Sequence, residues 1–272
     1  MSLPEYQSVY NNFDAASLES EVLEGSLDAG LNVCTEICDK WAKDPQRVAL
    51  FYETQDGGDG RMTFAELKAA SARFANYLAS RGIGKGHRVA GLLPRSPELL
   101  IVIAGTLRAG AVYQPLFTAF GSGAIEYRVE RADTRLVVTD AVNYPKLTEV
   151  KDCPPVLCSQ AADAGSGIAD FHEVLNAQSD VFEPVMIKGS DPFLQMFTSG
   201  TVGKSKGVAV PAKALLSFYV YMKYAIDLRD DDAFWNVADP GWAYGLYYAV
   251  IGPLLMGHAT HFNPQPFTPE TT

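Results

Sequence analysis

From Thr63 onward, apolar positions fall into two alternating periods. Leu67, Ala70, Phe74, Tyr77 and Leu78 recur every three or four residues and predict a helix, which Thr63 and Glu66 open as a capping box. Gly82, Gly84 and Gly86 end it, and Arg88 to Leu93 is then a short strand. Ser96 followed by Pro97 starts a second helix, running through Leu100, Ile103 and Leu107 to a stop at Gly110. Val112 to Leu116 is extended again, and a helix near Ile125 to Arg131 and a strand at Leu136 to Thr139 follow. Such alternation predicts an α/β fold of βαβ units, with helices packed on mostly parallel sheets and right-handed crossovers.

Farther on, the pattern loosens. Lys151 to Gly189 is irregular, and AADAGSG at 161 to 167 predicts a surface loop. Pro192 to Phe197 is a strand, a loop follows, and Gly207 to Val210 is extended. A helix is expected from Pro211, with apolar positions Leu215, Tyr219, Met222 and Ile226, and a strand at Ala233 to Ala238. Trp242 to Met256 is the longest apolar stretch, too short for a bilayer span and broken by Gly245, Gly252 and Pro253, so it predicts a buried helix. His258 to Phe262 is strand-like. The Pro-rich FNPQPFTPETT after it carries no element, and the chain is expected to be a fragment of a longer protein. There is no internal repeat or heptad run.

Charge narrows the partners. The 272 residues carry 22 Lys and Arg against 32 Asp and Glu, a net charge of -10, with no basic run or stripe. That argues against nucleic acid and anionic membrane and leaves an anionic small molecule possible in a locally positive pocket. The segment MSLPEYQSVYNNFDAAS has neither a basic leader nor an apolar core, so a cytoplasmic location is expected. Cys34 with Cys38 and Cys153 with Cys158 lack metal-finger spacing and are expected to be free thiols of a reducing compartment. His258 and His261, three apart on an extended run, point to opposite faces, so no metal site is expected there.

The candidate chemistry lies in Phe197-Thr198-Ser199-Gly200-Thr201-Val202-Gly203-Lys204-Ser205-Lys206-Gly207. Small residues let backbone N–H groups approach an anion, the hydroxyls of Thr198, Ser199 and Thr201 add donors, and Lys204 and Lys206 add positive charge. This is a composition suited to polyphosphate. The alternative is a Gly/Ser/Thr surface turn with two solvated lysines. Gly203-Lys204-Ser205 also ends like a nucleotide-triphosphatase loop, but that pattern needs glycine where Thr198 stands. It also needs a helix after the lysine, where Gly207-Val208-Ala209-Val210 favours a strand.

FTSGTVGKSKGV resembles the phosphate-binding signature of the adenylate-forming superfamily, which includes acyl-CoA synthetases, luciferases and the adenylation domains of peptide synthetases. The family usually has Thr or Ser at the place of Val202 and Pro at the place of Ser205, so one hydroxyl donor and the stiffening of a proline are absent. The resemblance runs from about Trp41 to the end. TFAELKAASARFANYLASRGIGKGHRVAGLLPRSPELLIVIAGTLRAGAVYQPLF is similar to the opening of the large N-terminal domain of acyl-CoA synthetases. Asp239-Pro240-Gly241-Trp242, with Ala243 to Met256, resembles the acyl-pocket segment of the acetyl-CoA and medium-chain acyl-CoA branch.

The resemblance implies a truncated large domain. Residues to about 61 would join those from 211 to 272 in one sheet layer, 62 to 210 would form another, and a C-terminal domain would lie beyond the chain. It implies ATP and coenzyme A as co-substrates, with Mg, and a short- or medium-chain carboxylic acid as the group activated. Aryl-CoA ligation, or nucleotide binding by a non-catalytic scaffold, are the alternatives. Thr198, Ser199, Gly200, Thr201, Gly203, Lys204 and Lys206 would bind the ATP phosphates, and Gly241, Trp242 and Tyr244 would line the acyl pocket. Trp242 is equally an ordinary core aromatic. The adenine and ribose contacts, the magnesium-ligating glutamate and the adenylation-step lysine would lie beyond Thr272, leaving no catalytic residue here.

Overall fold

A computed structural model of the chain describes residues 6–165, 167–198, 205–265 and 268, the side chain of Ala15 excepted. Among the described residues the strands are β1 (Val48–Glu53), β2 (Asp59–Thr63), β3 (Arg88–Leu92), β4 (Val112–Pro115), β5 (Thr134–Thr139), β6 (Val156–Cys158), β7 (Ala169–Asp170), β8 (Pro192–Thr198), β9 (Lys206–Pro211) and β10 (Thr260–Phe262). They form a 7-stranded sheet in the order β7-β6-β5-β3-β4-β8-β9 and a 3-stranded sheet in the order β10-β1-β2. In the larger sheet every neighbouring pair is parallel except β8 and β9. In the smaller, β1 runs parallel to β10 and antiparallel to β2.

The alternation of side chains along β3 and β5 accounts for helices on both faces. Val89, Leu136 and Val138 point into one core, shared with the helices Phe64–Ser80 and Pro97–Arg108, while Ala90, Leu92 and Val137 point into another, with Ile125 and Val129 of the helix Ser122–Ala132. Strands buried on both sides lose the polar alternation of a half-exposed sheet, which suits a parallel sheet covered twice.

The helix Phe64–Ser80 begins as its sequence predicts. Thr63 Oγ1 accepts from the Glu66 N–H at 3.2 Å, and Glu66 Oε2 accepts from the Thr63 N–H at 2.7 Å. It crosses the helix Pro97–Arg108 closely at Gly105, where a Cβ would stand 2.8 Å from Phe74 Cβ. That helix ends in a buried cation. Arg108, 1% exposed, donates from Nη1 and Nη2 to the two Asp39 carboxylate oxygens at 2.8 and 2.5 Å and from Nε to Ser71 Oγ at 3.0 Å.

Three expectations need correction. The stretch Lys151 to Gly189 holds β6, β7 and the helices Ala161–Ala164 and Phe171–Asn176, so AADAGSG starts as a helical turn. Elements of two to six residues are too short to print a period. Ala233 to Ala238 forms no strand. Its backbone groups are satisfied sideways, the Val237 carbonyl by Arg95 Nη1 at 3.1 Å and the Ala238 N–H by Asn236 Oδ1 at 3.0 Å. The helix expected from Pro211 starts at Ala214, because the N–H groups of Ala212 and Lys213 bond back to Asp191 and Gly189.

The apolar stretch after Trp242 is helical from Ala243 to Leu255, through a widened π turn at Leu246–Ile251. Leu246, Val250 and Leu254 are buried, whereas Trp242 and Tyr244 are half exposed. Among the described residues no helix is long and apolar enough to cross a membrane. All four cysteines are free.

Candidate functional site

In a parallel sheet the carboxyl ends of the strands share one edge, and ligands bind where the connections diverge. Here β3, β4 and β8 are neighbours. The chain leaving β4 crosses back to β5, on the far side of β3, while the chain leaving β8 turns outward to β9. The chain continues from β3 to Arg95, from β4 to Phe117 and Phe120, and from β8 into the Gly/Ser/Thr segment, whose residues 199–204 lie outside the described ones.

Of the expected phosphate-binding residues, Thr198 closes β8 and Lys206 opens β9, paired across the hairpin and both exposed. Ser199, Gly200, Thr201, Gly203 and Lys204 lie outside the described residues. Beyond them, Ser205 is held by two consecutive side chains of the helix Ser122–Ala132. Tyr127 OH donates to the Ser205 carbonyl at 2.8 Å, and Arg128 Nη2 donates to Ser205 Oγ at 3.2 Å. The Arg128 guanidinium also lies 4.2 Å from the Phe120 ring centre and 5.6 Å from that of Phe197. Burial pushes its pKa down.

The expected acyl-pocket residues are divided by the structure. Asp239-Pro240-Gly241-Trp242 is a tight turn: the Trp242 N–H donates to the Asp239 carbonyl at 3.0 Å and the Gly241 N–H to Asp239 Oδ1 at 2.7 Å. Gly241 is required by close approach, since a Cβ would come within 2.7 Å of Phe117 Cα. The turn sets the Trp242 ring against Phe117 at 5.4 Å and edge-on to Phe120 at 5.5 Å, leaving the residue 46% exposed. Tilted and edge-on contacts of this kind suit ring quadrupoles and place the indole against both phenyl rings. Burial raises the Asp239 carboxyl pKa, and the Gly241 N–H and the Arg95 guanidinium oppose that rise.

Tyr244 turns the other way. Its ring lies 5.1 Å from Tyr248 and 6.3 Å from Tyr221, both of which also line an apolar cavity of about 910 Å³ with Tyr10, Phe13, Leu216 and Val220. Trp242 and Tyr244 therefore face different apolar regions.

Sequence reasoning missed Phe120, Tyr127 and Arg128 as site residues, and had Phe117 and Asp239 only as members of the segments that carry the resemblance. For Arg128 there was a signal: it sits three residues after Ile125 and one before Val129, on the face that enters the core, where an unpaired cation is unusual. Phe120 and Tyr127 carry no local mark, because Trp242 and Ser205, which they meet at the site, lie far along the chain.

The family described as AMP-binding enzyme matches residues 38–272. Acetyl-coenzyme A synthetase of Bacillus subtilis (strain 168) is 33% identical over 99% of this chain and 48% of its own length. Acetyl-coenzyme A synthetase 1 of Debaryomyces hansenii is 31% identical over 92% of this chain and 40% of its own. The crystal structure of Brucella canis acyl-CoA synthetase superposes with a TM-score of 0.94 at 49% identity, covering 98% of this chain and 49% of that one. The chain thus spans about half the length of the relatives it matches.

Proposed function

This chain belongs to the AMP-binding enzyme family, and from that premise we propose that it forms the N-terminal part of an AMP-forming acyl-CoA synthetase acting on a short- or medium-chain carboxylic acid. In this reading the carboxylate attacks the α-phosphorus of ATP, pyrophosphate leaves, and the thiol of coenzyme A then displaces AMP from the acyl-adenylate. The barrier is largely electrostatic, because an anion must approach a polyanion, so donors placed along the phosphates lower it. Thr198, Ser199, Gly200, Thr201, Gly203, Lys204 and Lys206 supply those donors, binding and positioning rather than transferring protons. Residues to about 61 together with those from 211 belong to one layer of the large domain, and 62 to 210 to another.

The observation that carries this reading is the convergence at one sheet edge of the Trp242, Phe117 and Phe120 wall with the Arg128 and Ser205 contact at the foot of the loop. An apolar wall beside a polyphosphate loop suits a small acid whose carboxylate must reach a phosphorus. Gly241 and Trp242 support the acyl pocket, whereas Tyr244 would reach it only through the tyrosine cluster. Among the described residues, Cys34, Cys38 and Asp39 are the one group of possible metal ligands. They do not suit magnesium, being two buried thiols and a carboxylate already forked to Arg108. Free thiols support a cytoplasmic location.

The test is ATP–pyrophosphate exchange by the complete protein with acetate, butyrate, octanoate, palmitate and benzoate. The expected order puts acetate or butyrate first, with neighbouring lengths overlapping because a methylene is worth only about 1–3 kcal/mol. Highest efficiency with palmitate would mean an open tunnel past Trp242, benzoate first would mean an aryl-CoA ligase, and no exchange with any acid would favour a scaffold. The isolated chain is expected to release neither acyl-AMP nor AMP above a no-enzyme control.

A further inference from the structure

We propose that Arg128 and Tyr127 are positioning residues that fix the carboxyl-side foot of the phosphate-binding loop through Ser205, doing by hydrogen bonds what a proline ring does at that place in similar loops. The role in ATP use rests on the function proposed above; the anchoring itself does not.

Ser205 is the residue just before Lys206, whose pairing with Thr198 closes the hairpin. A proline there would hold φ near -65° without help, whereas serine leaves it free. The structure supplies the missing restraint from outside. Tyr127 takes the Ser205 carbonyl and Arg128 takes its hydroxyl, so backbone and side chain are both held by one helix. Proline has no hydroxyl for Arg128 to hold.

Among the described residues Arg128 is also held without a counter-ion: no carboxylate pairs with it. At 9% exposure a cation without a counter-ion is expensive, and its compensation here is the faces of Phe120 and Phe197, the Ala124 carbonyl at 2.8 Å and the Ser205 hydroxyl. Phe120, beneath the guanidinium, is the edge partner of Trp242. One side chain thereby ties Ser205 to the aromatic wall.

Two measurements test this. The first is amide hydrogen exchange over residues 198–208 of this chain. Ser205→Ala, Tyr127→Phe and Arg128→Lys should each speed exchange about fivefold or more. The Ser205→Ala, Arg128→Lys double variant should exchange no faster than the faster single one, because both remove the same bond. Ser205→Pro should exchange like the parent, and adding Arg128→Lys to it should change little. Unchanged exchange in Ser205→Ala and Tyr127→Phe, multiplicative effects in the double variant, or undiminished sensitivity to Arg128→Lys beside Ser205→Pro would overturn the proposal. If Arg128→Lys fails to fold, the two loop-side variants decide the matter by themselves.

The second is pyrophosphate exchange by the complete protein. Ser205→Ala should raise the KM for ATP about five- to tenfold with the KM for the acid unchanged, and Ser205→Pro should restore it. An equal rise for acid and ATP would overturn the positioning role. Absence of exchange in the unaltered protein would instead defeat the enzyme reading and leave the hydrogen-exchange result standing.

Discussion

A Cβ placed on Gly245 would stand 2.1 Å from the carbonyl oxygen of Asp239. The first turn of the helix after Trp242 is thereby packed directly on the backbone of the turn that aims the indole. No side chain can enter without moving one or the other. Gly245→Ala is expected to destabilise the chain by about 3 kcal/mol or more. Gly123→Ala, in a helix and with nothing within 4 Å of its Cβ, should be neutral or stabilising by about 0.4–1 kcal/mol. Urea denaturation of both variants checks the contrast, and equal effects would show that the Asp239 turn yields easily.

Arg108 and Asp39 form a buried pair whose halves are worth more together than apart. Arg108→Ala leaves the Asp39 carboxylate, 12% exposed, without its fork and should cost about 3–5 kcal/mol. Arg108→Met combined with Asp39→Leu removes both charges and is expected to cost clearly less than the single change. Midpoints of chemical denaturation for the two variants decide it.

Stability should also carry a pH signature from Glu98 and His172, whose Oε1 and Nε2 lie 3.4 Å apart. The hydrogen bond to Glu98 raises the His172 pKa above its ordinary 6.5. Burial pushes the Glu98 carboxyl up, but hydrogen bonds from His172 and Ser96 outweigh it and hold the group below its ordinary 4.5. The histidine contribution is complete below 6.5 and fades as pH rises through the raised value; the carboxylate contribution is complete above 4.5 and fades as pH falls through the lowered one. The pair is therefore strongest between those two pH values. Because His172 is half exposed, His172→Gln should cost only about 0.2–1 kcal/mol near pH 6 and almost nothing near pH 9. Denaturation at the two pH values, parent against variant, is the measurement.

Lys206 and Ala209 lie on the same hairpin strand and are both exposed. Within the complete protein, Lys206→Ala is expected to raise the KM for ATP about ten- to a hundredfold, the loss of a charge-assisted bond worth about 1.5–3 kcal/mol. Ala209→Ser should leave it unchanged. Indistinguishable values would return the loop to an ordinary solvated turn.

Legibility followed the range over which each signal acts. The helix Phe64–Ser80 was plain because its period, its capping box and its glycines all lie within 24 residues of sequence. The parallel strands β3, β4 and β5 stood out because each is a compact apolar run between helices. By contrast, the contact of Arg128 with Ser205 spans 77 residues, and nothing beside either residue announces the other. Gly241, Trp242 and Tyr244 were marked together by the resemblance of their segment, whereas the separation of Tyr244 from Trp242 depends on how the following helix leaves the Asp239 turn. Ala233 to Ala238 misled because its apolar residues are spaced as in a strand, although their backbone bonds go to Arg95 and Asn236.

The pairing of β1 with β10 sets a clock on the ribosome. Leu50 lies beside Thr260, and Asn263 Nδ2 reaches Glu53 Oε2 at 3.0 Å across 210 residues of chain. A two-stranded β1–β2 ribbon is marginal in isolation, so the smaller sheet waits for β10 to emerge. At about 5–20 residues per second that wait is roughly 10–40 s, during which the parallel strands from β3 to β7 are already free to fold. The central sheet can therefore assemble while the β1–β2 ribbon rests only on the helix Phe64–Ser80, through the core that Leu50 shares with Phe64 and Leu67, and β1 gains its second neighbour once Phe262 has cleared the exit tunnel.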